Sequence, residues 1–158
     1  MKKGFTLLEL MVIIGIIGIM TGVGLVSLSP AKKHYALKSA QDEVTAAIKL
    51  AQSYALQGKM PSSGDIACAY GFYLVNDSTY QIFYYKKNTT DGSCGTTENK
   101  VEENTLKNAV TAHSPQSRVY FMIPSGQMNL NYSVYFDYAG VNTTSNVIVD
   151  SGGLVTEN

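Results

Sequence analysis

A long apolar run broken by one charge dominates the first thirty residues, MKKGFTLLELMVIIGIIGIMTGVGLVSLSP. Lys2 and Lys3 precede Gly4, and from Phe5 to Leu28 the one ionisable side chain is Glu9. As a helix rising ~1.5 Å per residue the run is about 36 Å long, enough to cross a hydrocarbon core of roughly 30 Å with some tilt. A carboxylate inside such a run costs about 2.5–3.5 kcal/mol on insertion scales, so a compensating partner is expected for Glu9. The basic region is very short, the apolar stretch is long, and no small-x-small cleavage site follows it, which argues against a conventional secretory signal. Pro30 ends the apolar run.

The rest of the chain excludes several functions. Setting Lys2, Lys3 and Glu9 apart from the twelve basic and twelve acidic residues leaves ten and eleven, a nearly neutral remainder. A protein holding nucleic acid through its phosphates needs a basic excess or patch, and none is visible, so no nucleic-acid partner is expected. The sequence has no GxSxG, P-loop, HExxH or dinucleotide fingerprint. His34 and His113 stand alone, the first beside Lys32 and Lys33, the second in the polar 111–117 stretch, read as a solvated loop. Neither catalytic residues, metal ligands nor a cofactor are expected. Cys68 and Cys94 have no zinc-type spacing, and in an oxidising compartment they would pair as a single disulfide.

Local patterns predict the remaining architecture. Gly15, Gly18 and Gly22 share one helical face, where small residues allow close helix approach in lipid. Past Pro30, the residues Leu37, Ala40, Val44, Ala47, Ile48, Ala51, Tyr54 and Ala55 recur at three-and-four spacing, with Lys38, Asp42, Thr45, Lys49 and Gln52 on the other face. Gly58 is a stop signal, so a continuous helix over 5–57 would be about 80 Å long. Strands are predicted over 66–75 and 79–86 around an Asn76-Asp77-Ser78 turn, then over 118–123, 133–138 and 146–150, with Leu154-Val155 closing a terminal hairpin. The polar stretch 87–100 reads as a loop pinned by Cys94, and 101–110 is open between strand and short helix. The expected class is α+β: a long N-terminal helix, transmembrane in its first half and amphipathic in its second, packed on an antiparallel β-sheet or small β-sandwich.

The stretch KKGFTLLELMVIIGIIGIM resembles the processing signal of type IV pilins and type II secretion pseudopilins. The resemblance implies cleavage after Gly4 by a membrane-embedded prepilin peptidase and N-methylation of Phe5. It also implies that Glu9, fifth in the mature chain, neutralises the Phe5 amine of a neighbouring subunit during filament assembly. Many type IVa pilins have a proline where this chain has Val26; here Gly22, Gly24 and Pro30 flank that point. The segments AQDEVTAAIKLAQSYALQGK, VYFMIPSGQM and NVIVDSGGLV are similar to those of the H-type minor pseudopilins and related minor pilins. The domains implied are a leader at 1–4, a transmembrane helix at 5–28, an amphipathic helix at 29–58 and an extracytoplasmic β-rich domain at 59–158. The implied role is that of a non-enzymatic filament subunit in the inner membrane, with other pilins or pseudopilins and the prepilin peptidase as partners. The alternative is a membrane-anchored binding module for adhesion or DNA uptake. Against the DNA route, the chain ends in GGLVTEN without a basic residue, and Arg118 is its one arginine. The mid-domain cysteines argue against a major type IVa pilin, whose pair tends to lie near the C-terminus.

Overall fold

The computed structural model describes residues 6–138, 141–150 and 153–157, with the side chains of 23–29 and 141–144 outside the description. The helix α1 runs Leu7–Gln57, and Pro30 lies inside it. Proline has no backbone N–H, so the carbonyl of Val26 lacks its helical donor, yet the helix continues. The chain forms two compact units, Met1–Tyr35 and Ala36–Asn158.

In the second unit α1 buries the stripe expected from its spacing: Leu37, Ala40, Val44, Ala47, Ile48, Ala51 and Ala55. Thr45 departs from the expectation of a polar face. It is buried, because it lies beside Glu157 of the C-terminal strand, which covers that flank. The helix stops where Gly58 adopts a φ of 59°. The Gly58 amide donates to the Ala55 carbonyl at 3.2 Å and the Lys59 amide to the Tyr54 carbonyl at 3.0 Å. That pair of bonds is a Schellman closure, which satisfies carbonyls the helix end leaves open.

Eight strands follow: β1 (Ala67–Asn76), β2 (Thr79–Lys87), β3 (Cys94–Thr105), β4 (Val110–His113), β5 (Val119–Met122), β6 (Tyr132–Tyr138), β7 (Val141–Val149) and β8 (Val155–Glu157). They form two four-stranded antiparallel sheets, ordered β3-β2-β1-β5 and β4-β6-β7-β8. The β1–β2 hairpin closes with Asn76 opposite Thr79, its turn braced by the Ser78 amide donating to Asn76 Oδ1 at 2.9 Å. The expected loop over 87–100 is a correction: the loop ends at Ser93 and β3 begins at Cys94. Glu98, Lys100, Glu102 and Glu103 hide this strand from a hydrophobicity reading, and an edge strand carries such charges because they discourage pairing with other chains. The open stretch 101–110 divides between the end of β3 and the start of β4 through Asn108 and Ala109, both with left-handed φ. His113 is likewise corrected from loop to strand β4.

One core joins the helix to both sheets. Its largest side chains include Tyr70 and Phe72 from β1, Phe121 from β5, and Tyr132 and Phe136 from β6. Phe72 meets Tyr132 edge to face at 6.0 Å, linking the two sheets. Gln41, buried on the helix, accepts from the Ser145 hydroxyl at 2.8 Å and donates from Nε2 to the Asn146 carbonyl at 2.9 Å, tying α1 to β7. A second cluster on the first sheet holds Ala69, Phe83 and Tyr85, with Cys68, Tyr73, Cys94 and Tyr120 packed against it.

Candidate assembly site

The helix start is organised by Thr6. The Leu10 amide donates to the Thr6 carbonyl at 3.2 Å and the Glu9 amide to Thr6 Oγ1 at 3.3 Å. Thr6 is therefore the N-cap and Glu9 the third helical residue, with the Thr-x-x-Glu spacing of a capping box. The carboxylate also sits in the first turn, where the helix dipole favours negative charge. Gly4 and Phe5 lie outside the described residues.

Around Glu9 the helix is apolar on every side and uncovered. Leu7 is 77% exposed, and Leu8, Leu10, Met11, Ile14, Ile17 and Met20 are exposed with it. A helix apolar all round is at home in lipid or in a packed bundle, not in water. A Cβ built on Gly15, Gly18 or Gly22 meets nothing within 4 Å, so their face is open to a neighbouring helix. Among the described residues no helix is long and apolar enough to cross a membrane. The expected span, 5–28, includes residues outside that description.

In the second unit Cys68 and Cys94 are joined in a disulfide, with their Cα atoms 5.8 Å apart. It ties the start of β1 to the start of β3, two strands that flank β2. Several charged groups of this unit are paired within the fold. Asp65 takes hydrogen bonds from Lys86, Tyr84 and Ser63, which hold its carboxyl down at about 2. Glu157 pairs with Lys38, which lowers the carboxyl and raises the ammonium. Arg118 pairs with Glu98. His113 Nδ1 is 3.2 Å from Asp137 and its ring stacks on Tyr135 at 5.4 Å. Burial lifts the Tyr80 and Tyr132 hydroxyls, the latter to about 12. Among the described residues no group of three or more His, Cys, Asp or Glu side chains could hold a metal.

The structure thus brings Glu9 beside Thr6 and joins the two cysteines, while the glycines stay open. Thr6, Gln41 and the Lys38–Glu157 pair are the contributions that sequence reasoning missed. The Thr-x-x-Glu spacing signals the first; the other two join residues more than a hundred positions apart and leave no local signal.

Residues 1–25 match the prokaryotic N-terminal methylation motif. The fold is similar to that of the minor pseudopilin EpsH from the type 2 secretion system of Vibrio cholerae. The identity is 12% and the TM-score 0.53, over 77% of this chain and 95% of that one. The chain thus carries that motif on a fold similar to that of a minor pseudopilin. No curated protein matches the sequence. The motif lies in the first unit and the strands in the second.

Proposed function

We propose that this chain is a structural subunit of minor-pilin or pseudopilin type, made as a precursor and assembled through its N-terminal helix. The observation that carries the reading is the methylation motif over residues 1–25, on a helix whose described side chains from Leu7 to Met20 are exposed and, Glu9 apart, almost all apolar. A prepilin peptidase cuts after Gly4 and methylates Phe5. The segment 5–28 holds the precursor in the cytoplasmic membrane with the β-rich domain outside the cytoplasm. Two arguments favour that orientation, the motif itself and the Cys68–Cys94 disulfide, since disulfides persist in oxidising compartments.

Glu9 has a physical reason to be where it is. Cleavage creates an α-amino group on Phe5, whose ordinary pKa of about 7.7–8.0 leaves it largely protonated at neutral pH. A carboxylate and an ammonium buried together cost far less than either alone. Glu9 of one subunit therefore receives the Phe5 amine of the next, and an unmatched register leaves both charges in apolar surroundings. Gly15, Gly18 and Gly22 let neighbouring helices approach in the same bundle.

The test is incorporation into filaments in a host carrying the cognate assembly machinery. Glu9→Ala is expected to insert in the membrane normally and to fail to incorporate. Normal incorporation of Glu9→Ala overturns the assembly role. A membrane-anchored binding module would instead show an uncut N-terminus and no co-assembly with other pilins.

A further inference from the structure

At the corner where α1 ends, the second unit encloses a cleft of about 190 Å³ whose lining includes Tyr54, Lys59, Met60, Tyr84, Lys100 and Val101. Its frame is rigid for a loop. The Schellman closure fixes the Lys59 backbone, and the Tyr70 hydroxyl donates to the Lys59 carbonyl at 2.8 Å. Tyr70 in turn packs against Tyr54 and Tyr84, with ring centroids 5.5 and 6.0 Å away.

The charges around the cleft do not cancel. Asp65, which bonds Tyr84 from behind, is matched by Lys86 at 2.6 Å, and Lys100 lies 3.5 Å from Glu103. Lys59 is the cation left over. Its ammonium rests 3.5 Å from the centre of the Tyr54 ring, and among the described residues it has no carboxylate partner. At the mouth, Met60 is 71% exposed and Val101 40%. Exposed apolar side chains rimming a cationic hollow are the pattern of a protein contact, and the volume falls short of the roughly 300–1,000 Å³ of small-molecule sites.

We propose that this cleft receives the carboxylate side chain of an Asp or Glu on a partner protein, whose apolar neighbour packs on Met60 and Val101. Lys59 donates to the carboxylate from its place over Tyr54, while Lys100 across the cleft keeps its partner Glu103. The Tyr54 ring holds the ammonium in position before the partner arrives, which lessens the ordering cost of binding. This site is independent of the filament reading, since it uses neither the N-terminal motif nor Glu9.

The experiment is an NMR titration of the isotope-labelled full chain in detergent micelles at low ionic strength. The probes are acetyl-Leu-Glu-amide, acetyl-Leu-Gln-amide and sodium acetate. Saturable shifts are expected at residues 59–63 and 100–101 with the Glu peptide, and binding at least about fivefold weaker with the Gln peptide and with acetate. Lys59→Met, which keeps the stem over Tyr54, is expected to weaken the Glu peptide by about five- to tenfold, while Lys87→Met leaves it unchanged. Equal responses to the Glu and Gln peptides, an unchanged affinity in Lys59→Met, or shifts confined to other surfaces would overturn the site. Acetate binding as tightly as the Glu peptide would overturn the protein partner.

Discussion

Gly71 stands at the middle of the first sheet, opposite Phe83 on β2 and Tyr120 on β5. A Cβ added there would lie 2.6 Å from the Val119 carbonyl oxygen and closer still to Phe83 Cζ. The two obstacles differ in kind. Val119 belongs to the backbone of a paired strand and cannot turn away. The Phe83 ring is fully buried and held edge to face by Tyr73 at 5.5 Å and Tyr85 at 5.1 Å, so its retreat disturbs both neighbours. Overpacking a close-packed site costs about 1–3 kcal/mol, and each disturbed aromatic pair adds about 0.5–1.5 kcal/mol. Gly71→Ala is therefore expected to cost about 3 kcal/mol, which at about 2–4 °C per kcal/mol for a chain of this size lowers Tm by about 6–12 °C. Thermal melts of the full chain in detergent, followed by tyrosine near-ultraviolet circular dichroism, measure it. Gly64→Ala is the control: its Cβ would meet nothing within 4 Å, and the cost is that of a left-handed φ of 77°. A fall of less than about 2 °C for Gly71→Ala, well under that expected from overpacking, would refute the packing described for this face.

Other perturbations follow from the same structure. Replacing Cys68 and Cys94 together by serine removes a link across a sequence separation of 26, worth about 3.5 kcal/mol in the chain-entropy model, and should lower Tm by about 7–14 °C; a loss under about 1 kcal/mol would contradict it. Asp65 has its folded pKa lowered to about 2 by its hydrogen bonds from Lys86, Tyr84 and Ser63, against about 3.9 in an unfolded chain. Its stabilising effect is thus full above about pH 4 and lost as the pH falls toward about 2. The Tm difference between the native chain and Asp65→Asn should shrink over that window, and a difference independent of pH would count against the link. Gln41→Ala leaves the Asn146 carbonyl and Ser145 hydroxyl without their helix partner and should cost about 1–3 kcal/mol by chemical denaturation; no measurable loss would show that water replaces it freely.

What the sequence discloses depends on whether a structural constraint leaves a local pattern. The helix was legible because its buried stripe repeats at helical spacing and Gly58 closes it with a positive φ. The β1–β2 hairpin was legible because aromatic and β-branched residues flank a two-residue turn at Asp77-Ser78. By contrast β3 was hidden, since an edge strand with charged side chains has the composition of a loop and is a strand only because β2 lies beside it. Thr45 looked polar and exposed by its position on the helix, and a strand from the far end of the chain covers it. At the proposed assembly site Glu9 was conspicuous as one charge in an apolar run. Its hydrogen-bonded neighbour Thr6 was equally readable as Thr-x-x-Glu but is informative only once the helix start is placed. Thr6→Ala separates capping from assembly, since it should loosen the first turn by about 0.5–2 kcal/mol while leaving the Glu9 charge in place.

The central claim is that residues 1–25 form a processing signal on a filament helix. Intact-mass spectrometry of the chain recovered from membranes, expressed with and without a prepilin peptidase, tests it most directly. The account predicts that the peptidase removes Met1–Gly4 and adds one methyl group to Phe5, and that Gly4→Ala leaves the precursor uncut. A full-length, unmethylated chain in the presence of an active peptidase would contradict it.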